Sequence, residues 1–401
     1  MSKRIALITT WFPPNQGVAT NRMSAFAEYL AEDFIVEVFT VAIEDNFTQL
    51  SESSAVFYVK SSSWKDFFKH YSTDGKLLHF FKTVAIVLLS KVSTSPLKKW
   101  ANTVGNLLEN RHNEAPFDCI ISSYAPHEVH QIASAFVKKH RGVKWIADMR
   151  DEMSKNPGIP NNLKKVYLKV EKDVSNFASA LTTVSEPILE DFKILSPGIP
   201  FYQEIRNGFN HEIIPKSTQN SIFTIGYFGT FYGEIKPTYF FKALELLCER
   251  NQEFDFEMNI VGASLNFEIP KRFKKKVNIN TSIPYLDAIN KMMTMDVNLL
   301  VNPRTSRKGV YTGKLFDYLS AGKPILAFVD KTDVASRLIN ECEAGYVAEF
   351  DDVVEISHAI EKSYVDWKEG KQPQIEEGLR KSFHRREQVN KLKNLIYKIV
   401  E

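Results

Sequence analysis

The feature that most constrains the fold is a strand–loop–helix–strand unit that occurs at the start of each half of the chain. In the first half, the apolar run Arg4–Thr10 precedes a loop rich in Pro and Gly, a helix over Thr20–Asp33 and a strand over Phe34–Val41. In the second half, the strand Phe223–Gly229 opens a unit of the same order. Short apolar runs without alternation are typical of buried parallel strands. The repeat therefore predicts an α/β protein with two facing Rossmann-like domains.

The length agrees with two domains, because 401 residues exceed what one hydrophobic core usually organises. We expect an N-terminal domain over residues 1–207 and a second domain over 208–380. The polar stretch after Arg206 reads as the linker. One long basic helix is expected from about Gln374 to Glu401.

Composition excludes several classes of function. The net charge of +3 is too small to indicate nucleic-acid binding. Three widely spaced cysteines form no metal-ligand pattern and are typical of a reducing compartment. The N-terminus reads directly into a strand without a signal peptide, and no window holds the roughly 18 uncharged apolar residues of a membrane span. We therefore expect a cytoplasmic protein.

One segment, at about residues 60–110, departs from the α/β pattern. Between residues 60 and 99 it combines lysines with clustered aromatic and aliphatic residues, among them Trp64, Phe67 and Phe80. Such an amphipathic segment suits an anionic membrane surface. A helical insertion that covers the domain's own core, with its lysines in water, explains the same pattern, so both interpretations stay open.

The richest stretch for ligand chemistry begins at Thr312 and Gly313, which open a short helix that ends at Gly322. The start of a helix offers unpaired N–H groups and a positive dipole end. Lys314 in the first turn adds a cation, and Asp317 lies on the same helical face. The stretch therefore predicts a site for a phosphate and for sugar hydroxyls.

Three motif tests narrow this site. The segment Gly309–Leu315 has three residues between its glycines instead of the four of a P-loop, and it lacks the Ser or Thr that binds magnesium. No G-x-G-x-x-G follows either first strand, which argues against a dinucleotide dehydrogenase. No D-x-D triplet is present, so a diphosphate would be met without a metal ion or other cofactor, by lysines and helix ends.

The sequence resembles the family 4 glycosyltransferases of the GT-B fold, particularly those of bacterial polysaccharide and lipopolysaccharide assembly. The resemblance covers nearly the whole chain, and the order of its motifs is more specific than any one of them. The motifs are Thr10-Trp-Phe-Pro-Pro-Asn-Gln-Gly17 with Arg22, Trp145-Ile-Ala-Asp-Met-Arg-Asp151, Arg206-Asn-Gly-Phe209, Gly226-Tyr-Phe-Gly-Thr-Phe-Tyr-Gly233 and Thr312-Gly-Lys-Leu-Phe-Asp-Tyr-Leu-Ser-Ala-Gly-Lys-Pro-Ile325.

The resemblance implies metal-free transfer of a sugar from a nucleotide donor, with retention at the anomeric carbon, and a C-terminal helix (381–401) that returns to the N-terminal domain. Lys236 and Lys314 would neutralise the diphosphate leaving group. Asp317 would bind the ribose, and the backbone of Ile283 would meet the base. The donor-binding set is completed by Gly17, Gly229, Thr230, Gly262, Thr312 and Gly313.

The chain departs from the family at three positions. The first glutamate of the family's paired-glutamate pattern falls on Gly309, many members have Arg at Thr230, and Asp317 is one methylene shorter than the usual Glu. These departures leave open which sugar the donor carries and whether the chain is active.

On the acceptor side, the resemblance and the positions of residues after strands single out three side chains. His127 lies at a strand-to-helix turn, where related enzymes often place a sugar-contacting histidine, and it is a catalytic candidate beside Asp151. Arg150 and Asp151 follow a strand end. Asp151 could orient the acceptor hydroxyl or take its proton. A structural role stays open for His127, Asp151, Lys236 and Asp317.

The sequence thus predicts a retaining, metal-independent glycosyltransferase of cell-surface polysaccharide synthesis. Its partners would be a nucleotide-sugar, a glycan acceptor carried on lipid and, peripherally, the inner face of an anionic membrane. Two alternatives stay open: a sugar-nucleotide epimerase or hydrolase of the same fold, and a catalytically silent scaffold of a polysaccharide assembly complex.

Overall fold

The computed structural model describes residues 2–42, 44–61, 95–212, 219–231, 235–262 and 267–401. The chain divides into two compact units. Unit 1 consists of Met1–Arg206 together with Gln388–Glu401, and unit 2 consists of Asn207–Glu387.

Unit 1 is built on one sheet that has eight strands within the described ranges. The order of the strands is β3-β4-β2-β1-β5-β6-β7-β8, and all neighbours are parallel except β3 and β4. Residues from Ile5 to Ile8 on the central strand are fully buried, which explains their unalternated apolar run. The strands are β1 (Arg4–Ile8), β2 (Ile35–Ala42), β3 (Asn46–Gln49), β4 (Ala55–Lys60), β5 (Cys119–Ser123), β6 (Lys144–Asp148), β7 (Ala180–Thr183) and β8 (Phe201–Glu204).

Helices cover both faces of this sheet. Alternate residues of β1 belong to different hydrophobic clusters, with Ala6 and Ile8 in one and Ile5 and Leu7 in the other. The helices are α1 (Val18–Leu30), α2 (Lys98–Glu114), α3 (Glu128–Lys139), α4 (Asn161–Phe177) and α5 (Glu186–Leu195).

Unit 2 is built on a parallel sheet that has six strands in the part of the chain described, in the order β11-β10-β9-β12-β13-β14. The strands are β9 (Phe223–Phe228), β10 (Phe256–Val261), β11 (Val277–Asn280), β12 (Val297–Asn302), β13 (Ile325–Val329) and β14 (Gly345–Glu349). The helices are α6 (Thr238–Arg250), α7 (Tyr285–Met292), α8 (Gly313–Ala321), α9 (Val334–Glu341), α10 (Val353–Lys368) and α11 (Glu377–Ser382). Two parallel α/β bodies were predicted from the repeated unit, and this prediction is confirmed.

The last helix, α12 (Arg385–Val400), starts in unit 2 and runs into unit 1. From Gln388 onwards it belongs to unit 1, where Leu392 and Ile396 are buried in the cluster that contains Met23 and Phe26 of α1. The final segment of the chain therefore completes the core of the N-terminal unit.

The prediction of one long helix from Gln374 to Glu401 is wrong, because the chain forms two helices with a break at Phe383 and His384. The backbone of Phe209 occupies this break. Its N–H donates to the carbonyl of Phe383 at 3.3 Å, and its carbonyl accepts from the N–H of Arg385 at 2.8 Å. A helical backbone could not make both bonds, and this long-range pairing leaves no trace in the local pattern.

The start of the first helix also differs from the prediction. The helix was expected to start at Thr20, but α1 begins at Val18 with Gly17 in the capping position. Thr20 is inside the helix and buried. The glycine has φ 130°, which a residue with a side chain rarely adopts, so the backbone and not a hydroxyl ends the preceding loop.

Most of the predicted basic insertion, from 62 to 94, lies outside the described residues. Its described end forms α2, whose buried residues Trp100, Val104 and Leu108 pack into the cluster on one face of the sheet of unit 1. The apolar face of α2 is therefore buried in the core of unit 1.

Candidate functional site: the carboxyl edge of the second sheet

Two glycines mark the carboxyl edge of the sheet of unit 2. Gly229 follows β9 with φ 123°, and Gly262 follows β10 with φ 90°. The N–H of Gly229 donates to the carbonyl of Val261 at 2.8 Å, and a Cβ on Gly262 would lie 3.6 Å from the Cα of Gly229. Both loops need glycine for their backbone conformation. They leave the edge without side chains at the point where open parallel sheets bind ligands.

The start of α8 supplies donors near this edge. Thr312 is its N-cap, with an extended backbone, but its hydroxyl makes no capping bond. That hydroxyl is buried and has no hydrogen-bond partner among the described residues. The N–H groups of Gly313 and Lys314 lie in the first turn, where intrahelical acceptors are absent. As predicted, the helix ends at Gly322, which has a left-handed φ of 66°.

Lys314 points back from α8 to the end of β9. Its Nζ donates to the hydroxyl of Tyr227 at 2.7 Å and lies 4.4 Å from the centre of that ring. A Cβ on Gly229 would come within 2.5 Å of Cε of the lysine, so the absence of a side chain there makes room for it. Burial lowers the pKa of the Lys314 ammonium to about 8. A cation that is costly to keep in a ligand-free site is one that an incoming anion would stabilise.

Asp317 lies one turn further along α8. Its Oδ1 accepts a hydrogen bond from the hydroxyl of Tyr285 at 2.6 Å. Burial raises the pKa of its carboxyl, and the Tyr285 bond and the charge of Arg385 partly offset this effect. Ser320 donates to the carbonyl of Asp317 and contacts Nε2 of His211 at 2.9 Å. The carboxylate thus sits in a cluster that a ribose hydroxyl could join.

Three other predicted donor residues are more dispersed. Thr230 is exposed, and its hydroxyl donates to the carbonyl of Gly262 at 3.1 Å. Ile283 is half-buried against the hydrophobic cluster that contains α8. Lys236 is exposed on the rim of a shallow cavity of about 380 Å³, whose lining in the described chain includes no residue of α8.

Gly309, where the resemblance expects a glutamate, has a conformation that favours glycine. Its φ is 79°, and its N–H donates to Oδ1 of Asp333 at 2.8 Å. The same oxygen caps α9 through the N–H of Val334. A hydrogen bond from the backbone of Gly309 thus fixes the loop before α8 to the start of α9.

The predicted acceptor-side residues lie in unit 1. His127 is buried, and its Nδ1 is 3.3 Å from the carboxylate of Glu128. Burial lowers the pKa of His127, while Glu128 opposes the shift. Its Nε2 is also buried, and none of the described residues bonds to it. A role in proton transfer therefore requires that this nitrogen become exposed.

Arg150 and Asp151 follow the end of β6. Nε of Arg150 donates to the carbonyl of Tyr124. Burial lowers the pKa of Arg150, and the charges of Asp148 and Asp151 oppose the shift. Asp151 is half-buried, and Gly17 lies at the start of α1 in the same unit.

A buried ion pair in unit 1 was not predicted. Arg22 and Asp148 are 2% and 0% exposed, and Nη2 of the arginine lies 2.8 Å from Oδ1 of the aspartate. Ser123 and Thr182 also donate to this carboxylate, at 2.7 and 2.8 Å. An aspartate at the end of the apolar strand Trp145-Ile-Ala-Asp148 was the signal that could have pointed to it.

Tyr227 and Tyr285 were also missed as members of the site. They occupy strand and helix positions that read as ordinary hydrophobic ones.

In the described ranges, no three His, Cys, Asp or Glu side chains are grouped so that they could hold a metal ion. Among the helices described, none is both long and apolar enough to cross a membrane.

No protein-family model matches the chain, and no curated protein matches it. Solved structures do match over nearly its whole length, and they are GT-B glycosyltransferases. The chain therefore has the GT-B fold, which confirms the fold expected from the sequence.

Three of these structures illustrate the likeness. Sucrose-phosphate synthase from Thermosynechococcus elongatus is 14% identical, with a TM-score of 0.60, and the match covers 99% of this chain and 97% of that one. Anabaena HepE in complex with UDP-glucose is 12% identical, with a TM-score of 0.61 and coverage of 98% and 99%. S. aureus TarM, in a complex that includes UDP, is 10% identical, with a TM-score of 0.58 and coverage of 98% and 99%.

Proposed function

We propose that this protein transfers a sugar from a nucleotide-sugar donor to a glycan acceptor, with retention at the anomeric carbon. The observation that carries the proposal is the Lys314 ammonium, which lies beside Gly229 at the carboxyl edge of the second sheet. In the described structure this cation has a tyrosine as its partner and burial as the cause of its lowered pKa, with no carboxylate contributing. The similarity to HepE and TarM, whose structures contain UDP-glucose and UDP, supports a nucleotide-sugar as the donor.

The chemistry follows from the leaving group. When the glycosidic bond of the donor breaks, negative charge develops on the nucleoside diphosphate. Lys314 and the first-turn N–H groups of α8 would stabilise that charge without a metal ion, with Lys236 as the second cation. Asp317 and Tyr285 would bind the ribose hydroxyls. Thr312, with its unpaired hydroxyl, would donate to a phosphate oxygen.

On the acceptor side, Asp151 would orient the attacking hydroxyl or take its proton, and Arg150 would contact the acceptor. We propose a lipid-linked glycan as the acceptor, in cell-surface polysaccharide synthesis at the inner face of the membrane. The basic and aromatic residues between 60 and 99 support this part. Flotation with liposomes that contain or lack anionic lipid tests it, and equal recovery with both would contradict a role for anionic lipid.

A thermal-shift panel of UDP-, GDP-, ADP- and dTDP-sugars tests the donor site. We expect one donor to stabilise the wild type and to lose most of that effect in Lys314→Ala. The matched control is Lys362→Ala on α10, which removes a surface lysine paired with Asp366. If no donor stabilises the wild type, the proposed function is wrong. If Lys314→Ala responds like the wild type, the site is elsewhere.

The anomeric outcome and the metal requirement need the productive donor and an acceptor. NMR of the product would show the same anomeric configuration as the donor if transfer is retaining. Activity should persist in EDTA if no metal ion takes part.

A silent scaffold is the second candidate, and Gly309 favours it, because the expected glutamate is absent and the backbone there favours glycine. It predicts no binding of any sugar nucleotide by calorimetry.

A further inference from the structure

The surroundings of Lys314 explain how its ammonium can be held in one position and still be able to bind an incoming anion. A lysine side chain has four rotatable bonds, so it needs neighbours if it is to point in one direction. Gly229 leaves the space that Cε and Nζ occupy, and Tyr227 supplies the contact at the end. No ion pair to Lys314 is present in the described structure, and the lowered pKa has burial as its cause.

Tyr227 is itself rigidly placed. It is the fifth residue of β9 and is fully buried. Its ring stacks on that of Phe231 with a centroid distance of 3.8 Å and an angle of 8° between the planes. Its hydroxyl donates to the carbonyl of Thr230 at 3.3 Å while it accepts from Lys314 at 2.7 Å. The donor bond orients the oxygen lone pair towards the ammonium.

The chemistry of this contact differs from that of an ion pair. A phenol oxygen and the face of an aromatic ring both attract an ammonium group, yet neither carries a compensating charge. The positive charge therefore remains available to an incoming anion. A carboxylate in the same place would neutralise the lysine and compete with the anion.

We propose that Tyr227 is a positioning residue for Lys314, which holds the ammonium beside Gly229 so that it meets the diphosphate of the donor already oriented. The diphosphate part rests on the proposed function. The positioning part concerns the protein alone and can be tested without ligand.

The first test measures the protonation of Lys314 in the ligand-free protein. Acylation by an amine reagent across a pH series, followed by mass spectrometry of the peptide, gives the pH midpoint of its reactivity. In Tyr227→Phe the ring and its stacking stay, while the acceptor oxygen is lost. Because the neutral amine is then less disfavoured, we expect the midpoint to fall by about 0.7 pH unit, the equivalent of one ordinary hydrogen bond.

Tyr364→Phe is the matched control. It removes another buried tyrosine hydroxyl of unit 2, which donates to the carbonyl of Glu253, and it should leave the midpoint unchanged. Gly229→Ala would also displace Cε of Lys314, but it places a side chain on a backbone with φ 123°, so Tyr227→Phe is the variant that decides.

The second test measures UDP binding by calorimetry. Tyr227→Phe should weaken the affinity about fivefold at pH 7.5 and move the pH at which affinity declines to a lower value. A purely structural role of the hydroxyl would weaken binding without moving that pH. An unchanged reactivity midpoint in Tyr227→Phe overturns the inference. If Tyr227→Phe shifts the midpoint but the wild type binds none of the UDP-, GDP-, ADP- and dTDP-sugars, the positioning role stands and the proposed function is rejected.

Discussion

Two basic side chains, Arg22 in unit 1 and Lys314 in unit 2, have opposite surroundings. Arg22 is fully buried against Asp148, and its Nη1 also donates to the carbonyl of Ile205 at 2.8 Å. Lys314 contacts a neutral tyrosine. The arginine's charge is balanced within the fold, whereas the lysine's is not. A cation whose charge is balanced by the protein stabilises the fold, whereas a buried cation without a counter-charge is one that an incoming anion would stabilise.

The largest effect should come from breaking the balanced pair. Asp148→Ala leaves the Arg22 guanidinium buried without its anion, and we expect the free energy of unfolding to fall by about 3–5 kcal/mol in urea titrations. Burial alone would raise the pKa of Asp148, but Arg22 and Ser123 hold it below its usual range. The pair's contribution is therefore present at neutral pH and is lost as pH falls below about 4. Glu190→Ala, which removes a surface partner of Lys193, should cost less than about 1 kcal/mol. Equal losses of unfolding free energy in Asp148→Ala and Glu190→Ala would show that the buried ion pair contributes no more than the surface pair.

The opposite variant tests the uncompensated cation. Lys314→Met should weaken UDP binding by about 10- to 100-fold, since charge-assisted hydrogen bonds are worth about 1.5–3 kcal/mol. The melting temperature should stay the same or rise, because a desolvated charge is removed. Calorimetry and thermal unfolding of the same samples check both parts, with Lys362→Met as the control. A large loss of stability with unchanged UDP affinity would show that Lys314, like Arg22, stabilises the fold and does not bind the ligand.

Restoring the expected glutamate gives the third test. Gly309→Glu places a side chain on a backbone with φ 79°, so we expect a loss of about 1–3 kcal/mol in the free energy of unfolding and no gain in donor affinity. Gly105→Ala on α2, where a Cβ meets no atom within 4 Å, should be neutral or stabilising. A more active Gly309→Glu would show that the site lacks only this carboxylate.

The protonation of Lys314 predicts how UDP affinity and stability depend on pH. Because the pKa of Lys314 is about 8, its ammonium loses its proton through pH 8, and UDP affinity should fall about tenfold between pH 7 and pH 9. Since this pKa lies below the ordinary 10.5, the unfolded chain binds more protons between pH 8 and 10.5, and the lysine's contribution to stability rises with pH in that window. Calorimetry of the wild type beside Lys314→Met isolates the effect. An identical decline in both proteins would assign it to another group.

The smallest effect concerns the ribose. If Asp317 binds its hydroxyls, the wild type should prefer UDP over 2′-deoxy-UDP by about fivefold, the equivalent of one ordinary hydrogen bond. Asp317→Ala should bind the two equally. A preference that survives the substitution would move the ribose contact elsewhere.

The fold followed from the sequence because it depends on local apolar runs and their order. The helix at Thr312 and the position of Lys314 followed from glycine and helix-start patterns. What could not be predicted were contacts between segments distant along the chain. Arg22 and Asp148 are 126 positions apart, Lys314 and Tyr227 are 87 apart, and the break in the last helix is imposed by Phe209. Such pairs have no periodicity, and only the folded topology brings them together.

The return of the last segment to unit 1 has a consequence for how the chain is made. Leu392 and Ile396 belong to the same core as Met23 and Phe26, so that core is incomplete until these two residues have left the ribosome. Unit 2 is continuous from Asn207 to Glu387 and has no such requirement. Because chains emerge N-terminus first, the unit that is synthesised second can complete its folding first. Unit 1 cannot complete its apolar core until α12 has been synthesised.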